Sequence, residues 1–145
     1  MGGLMKIGIC SGYFQRFHIG HKRYIKEAKA ACDMLVVIVN NDGQQKRKYK
    51  SFNKIRSCAE IEKEIKKDFE VLTVEAIDSD GSVCATLEAL RKKYPDDELL
   101  FFKDADRTID NIPEKPVLEK ANIRLLQFTN PKEESSTAIM KREVG

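Results

Sequence analysis

The stretch KIGICSGYFQRFHIGHKRYIKEAKAACDMLVVIVNND, residues 6–42, decides the fold. It begins with a short apolar run that ends in Ser11 and Gly12, small residues that let the backbone turn sharply. Apolar residues at helical spacing follow, and residues 33–42 contain an unbroken apolar run typical of a strand covered on both faces. The pattern predicts a strand over 6–12, a helix over 21–32 and a strand over 33–42, which together form a βαβ unit.

The same alternation of strand and helix patterns continues along the rest of the chain. A polar loop is expected over 43–50, a turn over 78–81, and Ser82 as the N-cap of a helix. Further strands are predicted over 69–77, 98–104 and 122–129, and further helices over 53–68, 82–94, 113–121 (with Pro113 in the first turn) and 135–144. Five strands with helical crossovers predict an α/β fold: a Rossmann-like, doubly wound, five-stranded parallel sheet in a single domain over residues 1–145. Ligands of such sheets bind beyond the carboxyl ends of the strands, where strand order reverses.

Composition and charge narrow the class of protein. Hydrophobic residues make up 41% and charged residues 34% of the chain, and no apolar run approaches the roughly 20 residues of a membrane span. The first residues show no secretory signal pattern. The cysteines at 10, 32, 58 and 84 lie far apart, as is typical of reduced thiols and not of zinc sites or disulfide frameworks. We therefore expect a cytoplasmic domain without a membrane partner, and the net charge of +3 is too small to predict nucleic-acid binding.

Two histidines flank a glycine in an H-x-G-H arrangement between the first strand and the first helix. Gly20 lets a ligand approach the backbone closely, and the N-terminus of a helix offers unpaired N–H groups to phosphate. His18 and His21 can donate hydrogen bonds to phosphoryl oxygens as charge builds up in a transition state. Two other interpretations stay open at this point: histidines that face solvent or cap the helix, and a metal pair, although no nearby cysteine or carboxylate completes a ligand set.

Three blocks of the chain resemble, in order, the small nucleotidyltransferases that carry the H-x-G-H signature, a superfamily that includes glycerol-3-phosphate and choline-phosphate cytidylyltransferases and several adenylyltransferases. The blocks are residues 11–42, FFKDADRTIDNIPE at 101–114 and PKEESSTAIMK at 131–141. The resemblance implies that an oxygen of a small phosphorylated or phosphonate acceptor attacks the α-phosphorus of a nucleoside triphosphate, with release of pyrophosphate. Class I aminoacyl-tRNA synthetases share the signature, but they are far longer and carry a KMSKS-type loop that this chain lacks.

The resemblance also implies which residues act. His18 and His21 would stabilise the α-phosphoryl group, and Lys46 or Lys48 the leaving pyrophosphate. The nucleotide would contact Gly12, Tyr13, Phe14, Gly20, Asp106, Arg107, Ser135, Ser136 and Thr137, and the acceptor Arg56, Asn111 and Lys141. Mg²⁺ is expected to arrive with the nucleotide, and a homodimer is implied by the resemblance alone.

Each of these residue groups also has a plainer interpretation. The lysine run is typical of a solvated basic segment or a weak nucleic-acid patch, and hydroxyl residues at a helix start are typical caps. Asp106 and Arg107 are compatible with a surface ion pair, and Arg56 and Lys141 with exposed helix positions. A nucleic-acid-binding domain has little support, because few aromatic residues lie among the lysines. A catalytically inactive nucleotide-binding relative is disfavoured by the two intact histidines.

The sequence carries features of enzymes that use two different nucleotides. The resemblance to cytidylyltransferases favours CTP, with ATP as the alternative. Gln15 stands where cytidylyltransferases often carry an aspartate, and F-Q-R-F-H is closer to the F-Q-P-F-H form seen in adenylyltransferases. Residues 104–107 are D-A-D-R where many relatives have G-G-D-R, so contacts to the base are expected to differ from theirs.

Overall fold

The computed structural model describes residues 5–15, 19–51, 54–103, 112–128 and 142–144, with residues 19, 20 and 142–144 described by their backbone alone. The strands are β1 Lys6–Gly12, β2 Met34–Val39, β3 Leu72–Glu75, β4 Glu98–Lys103, β5 Arg124–Gln127 and β6 Arg142–Val144. The helices in these ranges are α1 Ile19–Ala30, α2 Asp42–Lys48, α3 Cys58–Asp68, α4 Cys84–Lys93 and α5 Lys115–Lys120.

All six strands belong to one sheet, in the order β3-β2-β1-β4-β5-β6. The pairs among β1 to β5 are parallel, so the predicted doubly wound α/β fold with five parallel strands is confirmed. A short sixth strand, β6, adds to β5 in the antiparallel direction. Because β1 pairs with β2 on one side and with β4 on the other, strand order reverses between β1 and β4.

The sheet has a hydrophobic cluster on each face, since side chains alternate along a strand. Ile7 and Ile9 of β1 pack with Phe101 in the cluster that includes α4 and α5. Phe102 of β4 belongs to the opposite cluster, with Ile25 of α1 and residues of α3. Burial on both faces explains why β1, β2 and β4 are nearly continuous apolar runs.

Helix α2 occupies residues that the sequence predicted to be a loop. Asn41 caps it: its side-chain oxygen accepts from the Gln44 N–H, and the Gln44 side chain accepts from the Asn41 N–H, both at 2.9 Å. This reciprocal capping satisfies N–H groups that a short helix otherwise leaves open. The loop prediction was wrong because α2 carries no apolar stripe to reveal it.

The ends of several other elements also differ from the prediction. Helix α3 begins at Cys58 and not at residue 53, because Ser57 and Glu60 form a capping box. Val83, not Ser82, is the N-cap of α4. Helix α5 begins at Lys115, after Pro113. Residues 142–144 are strand β6 where a helix over 135–144 was expected, and residues 135–141 lie outside the described ranges.

Candidate active site

A cavity of about 990 Å³ lies beyond the carboxyl ends of β1 and β4, the point where strand order reverses. Its wall begins with Ser11 and Gly12 at the end of β1 and reaches Lys103 at the end of β4. Other parts of the wall come from the β1–α1 loop, α1, the end of α2, residues 54–56 and Glu114. This is the position at which doubly wound sheets bind ligands.

The β1–α1 loop brings an aromatic ring against the second histidine of the signature. Phe14 has a φ of 53°, in the left-handed region, and its side chain is buried. Its ring lies edge to face with the His21 imidazole, with the centroids 5.1 Å apart. Gly12 makes room for that ring, because a Cβ at residue 12 would lie 2.8 Å from the Phe14 Cζ. Helix α1 is also tied to β4, since the Tyr24 hydroxyl donates to the Phe102 carbonyl at 2.6 Å.

Gln15 and Arg56 are neighbours in the wall of the cavity, and the side chain of each bonds to the backbone of the other. The Gln15 side chain accepts from the Arg56 N–H at 2.9 Å and donates to the Arg56 carbonyl at 2.7 Å. The Arg56 guanidinium donates to the carbonyls of Phe14 and Gln15 and pairs with Glu64. Arg56 thus lines the cavity while its guanidinium bonds to the β1–α1 loop; its predicted contact with the acceptor stays a prediction.

Helix α2 places Lys48 at the cavity. The Gln45 side chain donates to the Tyr13 carbonyl at 2.9 Å, and the buried Gln44 side chain donates to carbonyls of the 76–82 segment. The Lys48 ammonium lies 4.3 Å from the centre of the Tyr13 ring, a favourable cation–π distance. Lys46 is exposed on the same helix and is not among the described residues that line the cavity. Of the two predicted lysines, the structure therefore brings Lys48 to the site.

The described wall of the cavity carries more positive than negative side chains. Its cations are Lys48, Lys54, Arg56 and Lys103, and its carboxylates are Glu60 and Glu114. Lys103 is only 6% exposed, which is unusual for a lysine. Glu114 is equally buried and accepts from the Val83 N–H at 3.0 Å, so part of its charge is bound by the backbone at the start of α4. An excess of cations suits an anionic ligand.

The cysteine thiols near this region are poor nucleophiles. Burial raises the pKa of the Cys58 thiol, and the carboxylate of Glu62 adds to the effect. Burial likewise raises the pKa of the Cys84 thiol. Both thiols are therefore protonated at neutral pH, and the thiolate is the reactive form. Among exposed groups, the Ser82 hydroxyl and N–H lower the pKa of Asp80.

The described residues show neither a cluster of metal ligands nor a helix that could span a membrane. Over residues 5–15, 19–51, 54–103 and 112–128, no three His, Cys, Asp or Glu side chains are grouped so as to hold a metal ion. Within the helices that the structure describes, none has the length and apolar character to cross a bilayer.

The structure brings together six of the predicted site residues. These are Gly12, Tyr13, Phe14, His21, Lys48 and Arg56, all at the cavity. Gly20 lies in the first turn of α1. Eight others lie outside the described residues: His18, Asp106, Arg107, Asn111, Ser135, Ser136, Thr137 and Lys141.

The structure adds cavity residues that the sequence did not single out. Lys103 is the clearest, and its signal was present, because a lysine that ends the apolar run of β4 stands at the ligand-binding edge of the sheet. Lys54 and Glu60 gave no such signal. Glu60 is held by its capping box with Ser57 at the start of α3, and Lys54 lies two residues before Arg56 in the chain.

Comparison with known proteins places the chain among nucleotidyltransferases. A probable nicotinate-nucleotide adenylyltransferase of Shewanella sp. (strain ANA-3) is 34% identical over 110 residues, which are 72% of this chain and 51% of that protein. The bifunctional protein HldE of Bradyrhizobium sp. (strain ORS 278) is 27% identical over 95% of this chain and 27% of its own length. The FAD synthase of Thermococcus sibiricus is 29% identical over 79% of this chain and 73% of its own length. The chain thus spans about half of the first relative and about a quarter of the second.

A solved structure shows the same fold. The lipopolysaccharide core biosynthesis protein from Thermoplasma volcanium GSS1 superposes with a TM-score of 0.60 over 85% of this chain and 95% of that one, at 19% identity. The model of the family described as "Cytidylyltransferase-like" matches residues 9–142, which are nearly the whole chain. The predicted resemblance to the H-x-G-H nucleotidyltransferases is confirmed, and the chain belongs to the cytidylyltransferase-like family.

Proposed function

We propose that this protein transfers a nucleotidyl group from a nucleoside triphosphate to a small phosphorylated acceptor and releases pyrophosphate. The observation that carries the proposal is the meeting of His21, Lys48 and Lys103 at one cavity, where the sheet reverses its strand order. An imidazole and two ammonium groups at one cavity suit a reaction whose substrates and products carry phosphates.

The reaction needs no covalent intermediate on the protein. An ionised oxygen of the acceptor phosphate bonds to the α-phosphorus, the bond from that phosphorus to the bridging oxygen of the β-phosphate breaks, and the electron pair leaves with pyrophosphate. Positioning and stabilisation of charge are then the main tasks of the site. His21, together with His18, donates hydrogen bonds to the α-phosphoryl oxygens, and Lys48 binds the leaving pyrophosphate.

Lys103 is proposed to bind a phosphate of one substrate. Its side chain lines the cavity, although the residue is 6% exposed, and the ammonium lies 5.2 Å from the centre of the Phe101 ring. A charged group that is largely shielded from water interacts more strongly with a bound anion than a solvent-exposed charge does, because the local dielectric constant is lower.

For the nucleotide, ATP and CTP have different support. CTP is favoured by the resemblance of the sequence motifs to those of cytidylyltransferases. ATP is favoured by the Shewanella relative, which is 34% identical over 72% of this chain and whose name is that of an adenylyltransferase. We propose ATP as the first donor to be tested and CTP as the second.

Mg²⁺ is proposed to accompany the nucleotide. The cavity fits this role in one respect, because its described carboxylates, Glu60 and Glu114, are too few to form a complete oxygen cage. Phosphate oxygens would then be the principal ligands, and the metal would neutralise charge on the phosphates.

The decisive experiment is a pyrophosphate-release screen of the purified protein. Each of ATP, CTP, GTP and UTP is combined with phosphorylated alcohols, amino alcohols, sugars, phosphonates and nicotinate mononucleotide, with and without Mg²⁺. Release that depends on one triphosphate and one acceptor is the expected result, and loss on addition of EDTA would support the metal. Absence of release in every combination would contradict the proposal. We also propose the homodimer that the family resemblance implies, and a light-scattering measurement of mass tests it.

A further inference from the structure

Phe14 holds a backbone conformation that needs outside support. Its φ of 53° is rare for a bulky residue, and such conformations persist where the surrounding structure fixes them. The conformation matters for the site because it directs the Phe14 ring onto the His21 imidazole, with an interplanar angle of 80°.

The Gln15 amide supplies the first part of that support. Its oxygen accepts from the Arg56 N–H, and its nitrogen donates to the Arg56 carbonyl, so one side chain satisfies both backbone groups of one residue. The nitrogen also donates to the Gln45 side chain at 3.0 Å. An amide nitrogen has two N–H donors, and both are directed to protein acceptors.

The Arg56 side chain supplies the second part of the support for Phe14, because it bonds to the backbone of residues 14 and 15. Its guanidinium donates to the Phe14 carbonyl at 2.7 Å and to the Gln15 carbonyl through two nitrogens, at 2.5 and 3.1 Å. It also pairs with Glu64 of α3. The carbonyls of the consecutive residues Phe14 and Gln15 are therefore both bonded to Arg56, just before α3.

We infer that Gln15 and Arg56 form a reciprocal lock that holds Phe14 in its left-handed conformation and so positions the His21 imidazole. Both are positioning residues in this assignment. The inference rests on the proposed function in assigning His21 to the reaction. It also deepens that function, because Gln15 does not select the nucleotide base: its amide donors are directed to Arg56 and Gln45.

The variant Gln15→Glu tests the lock with the smallest change of shape. Glutamate keeps an acceptor for the Arg56 N–H but loses both donors, and it places a carboxylate beside the Arg56 carbonyl. Arg56→Lys is the second variant, since lysine keeps the charge but cannot bridge two carbonyls and Glu64. Lys66→Gln, on the exposed face of α3, is the control, because it changes the net charge by the same amount as Gln15→Glu.

Two readouts on the full chain separate positioning from base selection. The first is the His21 Hε1 proton signal, assigned with a His18→Asn variant, since the chain has two histidines. The Phe14 ring lies close enough to His21 that we expect its ring current to shift this signal in the native protein. We expect both lock variants to move the signal toward its position in an unfolded chain. The second is calorimetric affinity for ATP and for CTP, which we expect to fall by the same factor for both nucleotides, with their ratio unchanged within about twofold.

An unmoved His21 signal in folded Gln15→Glu and Arg56→Lys proteins would overturn the inference. A change of about tenfold or more in the ratio of ATP to CTP affinity would also overturn it, because Gln15 would then select the base. If the native protein binds neither nucleotide, the proposed function fails, and the histidine signal alone decides whether the lock exists.

Discussion

The Lys48 ammonium rests 4.3 Å from the centre of the Tyr13 ring, so the cation of α2 packs against the loop that follows β1. The face of the tyrosine ring stabilises this position of the lysine side chain, but only weakly. A cation–π contact of this kind contributes about 0.5–1 kcal/mol at exposed sites. A bound pyrophosphate carries formal negative charge, and it would attract the ammonium more strongly than the ring does.

Replacing the two candidate lysines one at a time decides between them. We expect Lys48→Ala to lower kcat for pyrophosphate release by roughly 100-fold, because a preorganised charge at the leaving group is lost. Lys46→Ala should cause a much smaller loss, because Lys46 is not among the described residues that line the cavity. Steady-state kinetics on both variants measures the difference, and equal losses would contradict the assignment to Lys48.

His21→Asn should abolish turnover without loss of the fold. We expect kcat to fall by at least about 100-fold, since the shorter asparagine side chain cannot place a donor at the same point. Circular dichroism is the control for folding, and His18→Asn should behave alike. Near-native turnover in both variants would remove the histidines from the mechanism.

Gly12→Ala tests the contact between the end of β1 and Phe14. The added Cβ would lie 2.8 Å from the Phe14 ring, so the ring or the backbone must shift. We expect a loss of about 1–3 kcal/mol in the free energy of unfolding, measured by urea denaturation, together with a loss of activity. Gly43→Ala in α2 is the control, because its Cβ would meet its nearest neighbour at an ordinary 3.4 Å. Similar effects of the two changes would contradict the steric explanation.

The Cys58 thiol should make stability depend on pH in alkaline solution. Burial raises its pKa above the ordinary value of 9.0, so the folded protein keeps a proton that the unfolded chain releases near pH 9. Its contribution is therefore fully present below about pH 9 and is lost as pH rises further, by at most about 1.4 kcal/mol per pH unit. The difference in unfolding free energy between the native protein and Cys58→Ala, measured from pH 8 to pH 10.5, should decline. A constant difference would show that the thiol ionises equally in both states.

Lys103→Met tests the buried cation at the end of β4. We expect KM for one anionic substrate to rise roughly tenfold or more, since a charge-assisted hydrogen bond is lost. Lys92→Met, at an exposed position of α4, is the matched control. Unchanged KM values for both substrates would show that Lys103 does not contact them.

The parallel sheet could be predicted because its strands are apolar on both faces. Ile7, Ile9 and Phe101 pack on one side and Phe102 on the other, and such two-sided burial leaves a continuous apolar run in the sequence. The H-x-G-H signature between β1 and α1 then predicted a site at the edge of the sheet where ligands bind, and the cavity lies at that edge.

What could not be predicted depends on polar contacts between distant residues. Helix α2 is held by the buried amides of Gln44 and Gln45, which bond to segments 32 to 38 residues away in the chain. Arg56 resembled a surface residue of a helix, yet it lies before α3 and bonds to carbonyls 41 and 42 residues away. Local propensity and periodicity carry no information on such partners.

The seven-residue helix α2 is far shorter than helices that persist alone in water, so its order depends on the amides of Gln44 and Gln45. These side chains attach it to the ends of β1 and β2 and to the segment before α4. The backbone amides of α2 should therefore exchange with deuterium at the pace of the surrounding sheet and not at that of a surface loop. Lys48 would then reach its ligand by rotation of its own side chain, while the backbone of α2 stays in place.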